Sequence, residues 1–570
     1  MKLLRLLLAF LVLSGAASAP AATKEKATKP AKIKFSTKRG LHDAPFDLNL
    51  TSDAAAAKIF FTTNGALPTP KSGNPYSNSI RISTTTTIRA AGFENEQLVT
   101  EIDTHTFLFI TDVQKQTGAG APRTWGTNAG KDVIADYEMD PEIVGHPAYR
   151  DVLPDALRAL PSLSLVLDSG DLFDPARGIY ANPMQSGDEW ERATSVEFIQ
   201  PDGAKGFQID CGLRIQGGWN RRPEESPKHA FRLAFRKKHG AGKLKFPLFA
   251  SPGAEEFDGL ILRAGCNNSW LHWSGAERKQ GDYLRDQWMR ESYAAMGHPS
   301  ARGMFVHLYL NGLYWGVYNV AERPDENFAA EHLGGKAKDI DARNSDKILS
   351  GDDVAWKELF KVANASLHEN AAYETAQRLL DVPTFIDFII LNLYGANGDW
   401  DRASNWYAAR RRSADGKLVF FVWDGERTLE DVQANVLKFD DDFSPPRLFH
   451  KLIENDAFRR LFADHAQRHL NGDGVLTPKP AAERFQRWSS RLDKAIVAES
   501  ARWGDYRRDT HPYKTGPYEL YTRDDHWRPE IQRLLKDYFP KRSAAFLKQL
   551  REDGLLPKGE REPENQPTTK

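Results

Sequence analysis

The spacing of apolar residues changes several times along this chain, and each change predicts a different kind of element. Between 34 and 110, stretches such as "AKIFFTTNGALPT", "SIRISTTTTIRAAGF" and "THTFLFI" place Ile, Phe and Thr at alternate positions, broken at short intervals by turn residues. That pattern predicts a small β-sandwich. Residues 111–162 are polar and rich in Gly and Pro, and read as a linker or cap. From 163 the pieces "LSLVLDS", "SVEFIQPDG", "CGLRIQGG" and "HAFRLAFRKK" read as strands. In "GDYLRDQWMRESYAAMG", Leu284, Trp288, Met289 and Tyr293 fall on one face of a helix. Two strands follow, "GMFVHLYLNG" and "LYWGVYNVAE", joined by a tight turn at Asn311, and then a helix in "RPDENFAAEHLGG" with Pro324 in its first turn and Gly334 past its end. Residues 354–397 read as helical, and the chain beyond 440 is mostly helical to Gly554.

The predicted architecture is multidomain: an N-terminal all-β sandwich (34–110), an α+β domain (163–475) and a helical C-terminal extension (476–554). The last residues, 555–570, are polar and Pro-rich and predict disorder. At the other end, residues 1–22 have a basic start, an apolar core and small residues before Thr23, the layout of a secretory signal peptide, with a charged linker over 23–33. An exported protein follows, placed in the periplasm, at the cell surface or outside the cell. No run is long enough for a membrane span.

Charge changes the picture by exclusion. The 77 basic and 77 acidic residues cancel, so no global field points to nucleic acid or an anionic membrane. The two cysteines, Cys211 and Cys266, allow one disulfide or two buried thiols. The chain contains no G-x-S-x-G elbow, H-E-x-x-H motif or Walker loop, which removes the commonest hydrolase and NTPase readings.

Candidate chemistry gathers in "NGDWDRASNWYAARRRSADGKLVFFVWDGERTLED", where Asp399, Asp401, Asn405 and Asp424 surround one predicted hairpin. Strands, helix, two strands, helices and then an acidic loop is the element order of a protein kinase. Phosphoryl transfer needs positioning and charge neutralisation more than covalent help. A glycine-containing turn can bring backbone N–H groups to phosphates, and "RIQGGWNRR" offers Arg214, Gly217, Gly218, Asn220 and Arg221. Lys228 on the next strand is placed to reach phosphate. Mg²⁺ or Mn²⁺ takes hard oxygen ligands; Asn405 and Asp424 suit it, leaving Asp399 or Asp401 to orient an attacking hydroxyl.

The motifs "CGLRIQGGWNRRPEESPKHAFRLAFR", "FDGLILRAGCNNSWLHW", "YLRDQWMRESYAAMG", "FVHLYLNGLYWGVYNVAERPDENFAAEHLG", "NGDWDRASNWYAARR" and "FFVWDGERTLED" resemble the CotH kinase family of atypical, spore-coat-protein-H-like kinases. The resemblance implies an atypical protein-kinase-like fold that transfers phosphate from ATP to protein Ser or Thr hydroxyls with a divalent metal. It implies Lys228 as the phosphate-contacting lysine, Asp399 as the catalytic-loop aspartate, and Asn405 and Asp424 as metal ligands. It also implies base contacts in the stretch from Asn319 to Glu322, and an acid on the 283–297 helix, Asp286 or Glu291, as the partner of Lys228. Asp399 precedes Asn405 by six residues and Asp401 by four, one more and one fewer than the family spacing, so both remain candidates. The N-terminal segment, through "FFTTNGALPT", Tyr76 and "TTIRAAGF", resembles a fibronectin-type-III-associated or chitobiase C-terminal module, which implies a spacer or a contact with the cell envelope or a glycan. Two other functions fit the same fold: an inactive structural scaffold, and transfer of AMP instead of phosphate.

Overall fold

In the computed structural model, residues 30–128, 130–250, 253–400, 404–512 and 515–557 are described. The predicted signal peptide and Asp401 lie outside the described residues. Among the described residues no helix is long and apolar enough to cross a membrane.

The alternating N-terminal segment forms the predicted sandwich. Its main sheet runs Gly40–Leu41, Asp103–Leu108, Thr86–Glu94, Lys58–Thr62, Asn74–Pro75. Two short ladders, Ile33–Phe35 with Leu50–Ser52 and Phe46–Leu48 with Ile80–Ile82, complete it. Leu48, Ile82, Ile88 and Phe107 are buried in its core. The segment 111–162 is a packed cap: it carries a hairpin, Thr124–Asn128 with Lys131–Ile134, and Trp125 and Tyr137 join the core of the next unit.

That unit begins with a closed seven-stranded barrel: β1 (Ser162–Val166), β2 (Arg192–Ile199), β3 (Phe207–Gln216), β4 (Ala230–Ala234), β5 (Gly259–Arg263), β6 (Gly303–Leu310) and β7 (Leu313–Ala321). The strand order is β1-β2-β3-β4-β5-β7-β6, and β6 returns to pair in parallel with β1, Ser162 opposite His307. Closure leaves no edge strand exposed. Helix α1 (Arg285–Ala295) crosses between β5 and β6. The predicted turn between β6 and β7 holds, with Asn311 and Gly312 both at positive φ, as a two-residue hairpin requires.

Helix α2 (Glu326–Leu333) starts one turn position later than its pattern predicts. Asp325 caps it, accepting hydrogen bonds from the Asn327 and Phe328 amides, so Pro324 precedes the cap instead of opening the helix. A four-stranded sheet of β8 (Ile340–Asn344), β9 (Lys347–Ser350), β10 (Trp406–Arg411) and β11 (Val419–Val422) follows in the order β9-β8-β10-β11. Inserted before β10 is α3 (Val382–Gly395), apolar on every side and buried along nearly its whole length, as such a helix must be. Helices α4 (Asp456–Leu470) and α5 (Ile496–Trp503) belong to the C-terminal half. These helices do not stand apart. Residues from Phe458 to Leu556 share one core with α1 and α3, and α5 packs on β7. Leu555 and Leu556, at the start of the predicted disordered tail, are buried; residues 558–570 lie outside the described residues.

Both cysteines are free and buried in separate places, Cys211 within β3 and Cys266 beyond β5, so the disulfide alternative does not hold.

Candidate active site

Two loops meet where the barrel faces the helical lobe. The first leaves α3 through Ala396, in the left-handed region. Asn397 Nδ2 donates to Asn392 Oδ1 at 2.9 Å, and Asn397 Oδ1 accepts from the Asp399 amide at 3.1 Å. The Gly398 amide donates to Arg427 O at 2.9 Å, which fastens this loop to the turn after β11. Asn405 Nδ2 donates to the Asp399 carbonyl, so its Oδ1 is the atom left for another ligand. The second loop begins at Asp424. Trp406 pairs with Val422 across β10 and β11, so Asn405 and Asp424 stand at the same end of one ladder. Both are at positive φ, which Asn and Asp tolerate better than most side chains.

Asp424 is not alone. Arg263, at the end of β5, donates from Nη2 to Asp424 Oδ1 and Glu426 Oε1, each at 2.6 Å, and its Nε lies 3.2 Å from Asp286 Oδ2 on α1. Asp286 also accepts from the Gly425 amide at 3.0 Å and from Arg290 Nε at 3.0 Å. A Cβ at Gly425 would lie 2.7 Å from Met289 Cγ, so glycine is what lets this turn rest on α1. Burial alone would push the Asp286 carboxyl up, but Arg263 and Arg290 hold it below its ordinary value. Asp424 keeps 35% of its side-chain surface; burial raises its carboxyl despite Arg263, and Asp286 adds to the rise.

The same barrel face carries further cations. Arg214 on β3 pairs with Arg232 on β4, and Arg232 with Ile261 on β5, so these residues form a row that Arg263 continues. Ile261 packs with Tyr407, Phe421 and Trp423, which turns this row toward the β10–β11 hairpin. Nε of Arg232 and Nε of Arg323 are buried with no hydrogen-bond partner among the described residues. Burial and the neighbouring Arg323 pull the Arg232 guanidinium down to about 10, still a cation at neutral pH. Unpaired buried donors of one sign are costly, and an anion between them would satisfy both.

Several predicted roles need correction. Lys228 does not face this cleft. Its Nζ donates to Val317 O at 2.8 Å and Glu499 Oε1 at 2.5 Å, with no exposed side-chain surface on either partner. Burial pulls the ammonium down while Glu499 pushes it back. Its partner is thus on α5, not Asp286 or Glu291; Asp286 serves Arg263, and Glu291 pairs with Arg487. The strand-to-helix ion pair belongs to Arg263 and Asp286. Arg221 gives its guanidinium to the carbonyls of Gly217, Pro183, Gln185 and Ile215, and so holds the turn instead of reaching for phosphate. Gly217, at φ 115°, leaves room for Asn220 Oδ1, which would be 2.0 Å from a Cβ there. Nothing lies within 4 Å of a Cβ at Gly218, so that side of the turn is open. Arg214 lies on the cationic face but is held by Glu191, Nε to Oε2 at 2.7 Å. Glu322 grips Arg302 through both oxygens, and Asn319 accepts from Arg290 at 2.6 Å, so neither side chain is open to a base.

Sequence reasoning missed Arg263, Arg232, Arg323 and Glu426. Two left a trace: Arg263 ends the apolar run "LILR", and Arg232 falls between Phe231 and Leu233 in "HAFRLAFR", each a charge on an otherwise buried strand.

The cavity beside Arg263, Asp286, Asn319 and Glu426 is about 20 Å³, room for a single water. A larger one, about 410 Å³, opens by Glu322, Arg323 and Asp325. Six carboxylates line it against three cations, which suits a neutral or basic group better than a triphosphate.

A β lobe joined by a strand-to-helix ion pair to a helical lobe, whose hairpin ends in Asn and Asp, defines a kinase-like protein. Residues 213–545 match the family model of the CotH kinase protein. The chain belongs to this family, and the match runs on through the C-terminal helices that carry Glu499. Residues 38–104 match the chitobiase/beta-hexosaminidase C-terminal domain. No curated protein matches the chain significantly.

Proposed function

We propose that this protein transfers the γ-phosphoryl group of ATP to a Ser or Thr hydroxyl of a protein, outside the cytoplasm. The observation that carries the reading is the meeting of Asn405 and Asp424 with the cationic face of Arg232, Arg263 and Arg323. The hard oxygen donors of Asn405 and Asp424 fit Mg²⁺ or Mn²⁺. When bound there, such a cation would screen the negative charge of the phosphates.

The chain's own groups do the rest. The unpaired donors of Arg232 and Arg323 hold phosphate oxygens. Arg263 keeps Asp424 oriented from the barrel side. Asp399, fastened through Asn397 and Gly398 to the turn after Asp424, accepts the hydroxyl proton; Asp401 shares that candidacy from the same loop. The substrate oxygen forms its bond to the γ-phosphorus as the bond to the β-phosphate bridge breaks, and ADP leaves. The sandwich gives the protein a contact with the envelope or a glycan. The neutral charge balance favours neither nucleic acid nor membrane as partner.

The cavity beside Arg263 is too small for a nucleotide, so the lobes must part before ATP enters. That same closure favours a second reading, an inactive scaffold whose Asp424 is permanently held by Arg263. The deciding experiment is an autophosphorylation assay on the chain lacking residues 1–22, with mass spectrometry of the product. Phosphate addition that Asp424→Asn abolishes supports the kinase. An adduct of AMP mass makes it a nucleotidyl transferase, and no adduct with no thermal shift by ATP and Mg²⁺ leaves the scaffold.

A further inference from the structure

Away from the phosphotransfer loops, three histidines converge on one aspartate in the interior. Asp387 projects from the middle of α3 and is 2% exposed. His465 and His469 stand one turn apart on α4, a spacing that puts both rings on one helix face, as paired metal ligands are often arranged. His465 Nδ1 lies 2.7 Å and His469 Nε2 3.0 Å from the same oxygen, Asp387 Oδ1. His298, in the short connection between α1 and β6, brings Nε2 to 2.7 Å from Asp387 Oδ2. The ligand atoms of Asp387, His465 and His469 all lie within 4.8 Å of one another.

We propose that Asp387, His465 and His469 form a structural Zn²⁺ site, with His298 holding the second carboxylate oxygen of Asp387. Two imidazoles and one carboxylate are donors that Zn²⁺ accepts in tetrahedral geometry, with water in the fourth position. Metal–ligand bonds of about 2.0–2.2 Å put neighbouring ligand atoms roughly 3.3 Å apart, so the two rings admit the ion by moving a few tenths of an ångström off Asp387 Oδ1 and settling at that spacing from each other. Hard cations that prefer oxygen donors fit poorly beside two imidazole nitrogens, which separates this site from the Asn405–Asp424 pair. All three ligands are buried, out of reach of a protein substrate, so the role is structural and a water completes the shell. His298 keeps 14% of its side-chain surface exposed and gives the ion a way in.

The placement has a mechanical meaning. His298 follows the end of α1, the helix that presents Asp286 to Arg263, while Asp387 lies on α3, which leads into the Asp399 loop. Through the bond of His298 to the second oxygen of Asp387, one ion would brace the barrel's helix against the helical lobe at the end remote from Asp424.

The test uses the chain from 23 to 570, purified without a metal-affinity tag, and metal analysis by mass spectrometry. About one zinc per chain is expected; Asp424→Asn keeps it, and the double variant His465→Ala/His469→Ala loses it. A chelator lowers the melting temperature of the unsubstituted protein by several degrees, and Zn²⁺ restores it while Mg²⁺ does not. Should the double variant fail to fold, Co²⁺ added to chelated, unsubstituted protein gives the strong visible absorption of a tetrahedral nitrogen–oxygen site. Chain that takes up no zinc after dialysis against it, with a melting temperature indifferent to chelator and zinc, overturns the proposal and leaves a hydrogen-bonded histidine cluster.

Discussion

Arg263 Nη2 donates to Asp424 Oδ1 at 2.6 Å, and the same guanidinium contacts Asp286 and Glu426. One cation from the barrel therefore balances three carboxylates from α1 and the turn after β11. Arg263→Ala leaves these acids facing one another with only Arg290 nearby. The expected cost is about 3–5 kcal/mol, the range for removing one partner of a buried pair, read by urea denaturation. Arg263→Lys recovers part of the stability but little activity, because an ammonium cannot bridge the acids as a planar fork does.

Arg232→Ala behaves differently. Its Nε has no partner to abandon, so the variant stays as stable as the parent or gains slightly. A charge-assisted hydrogen bond to phosphate contributes about 1.5–3 kcal/mol. The KM for ATP should then rise about 10–100-fold, seen in initial-rate kinetics at saturating protein substrate. An unchanged KM would remove Arg232 from the phosphate site.

Lys228 gives the reverse signature. Lys228→Met strands Glu499 in the interior and lowers stability by about 3–5 kcal/mol, measured by thermal or urea unfolding. Adding Glu499→Gln removes the stranded charge, and the double variant recovers most of the loss with its KM for ATP unchanged. A folded double variant with a sharply raised KM would return Lys228 to the nucleotide.

Glu197 joins the sandwich to the barrel. Its Oε1 accepts from the Thr106 amide at 3.0 Å, and burial pushes its carboxyl up to about 7. A carboxyl raised in the folded state contributes stability that is fully present below its unfolded value of about 4.3 and is lost as pH rises through the folded value. Stability should fall between about pH 4 and 7 and then level off, by at most ~4 kcal/mol from this group. Glu197→Gln flattens that part of the profile in urea melts taken across the pH range.

The sandwich, the strand–helix–strand order and the acidic hairpin were legible because each rests on local pattern: alternation, helical spacing, a turn residue. Asn405 and Asp424 could be found together for the same reason, since one hairpin carries both. Lys228 misled because the pattern reads it as part of the strand, whereas it stands in the bend before β4 and turns into the barrel wall toward Glu499. Arg232, four residues on and within β4, faces the cleft. The Asp387 cluster was invisible because its four members come from three separate segments, and only His465 and His469 show any regular spacing.

Lys228 and Glu499 are separated by 271 residues, yet each is the other's counter-ion inside the barrel wall. During synthesis the barrel strands appear long before the helix that neutralises them. A polypeptide cut short anywhere before α5 is left with an ammonium it can neither bury nor hide, and the wall around it stays loose. Completeness is thereby made a condition of maturity: quality-control proteases would meet an open barrel in every shortened product and a sealed one only in the finished chain.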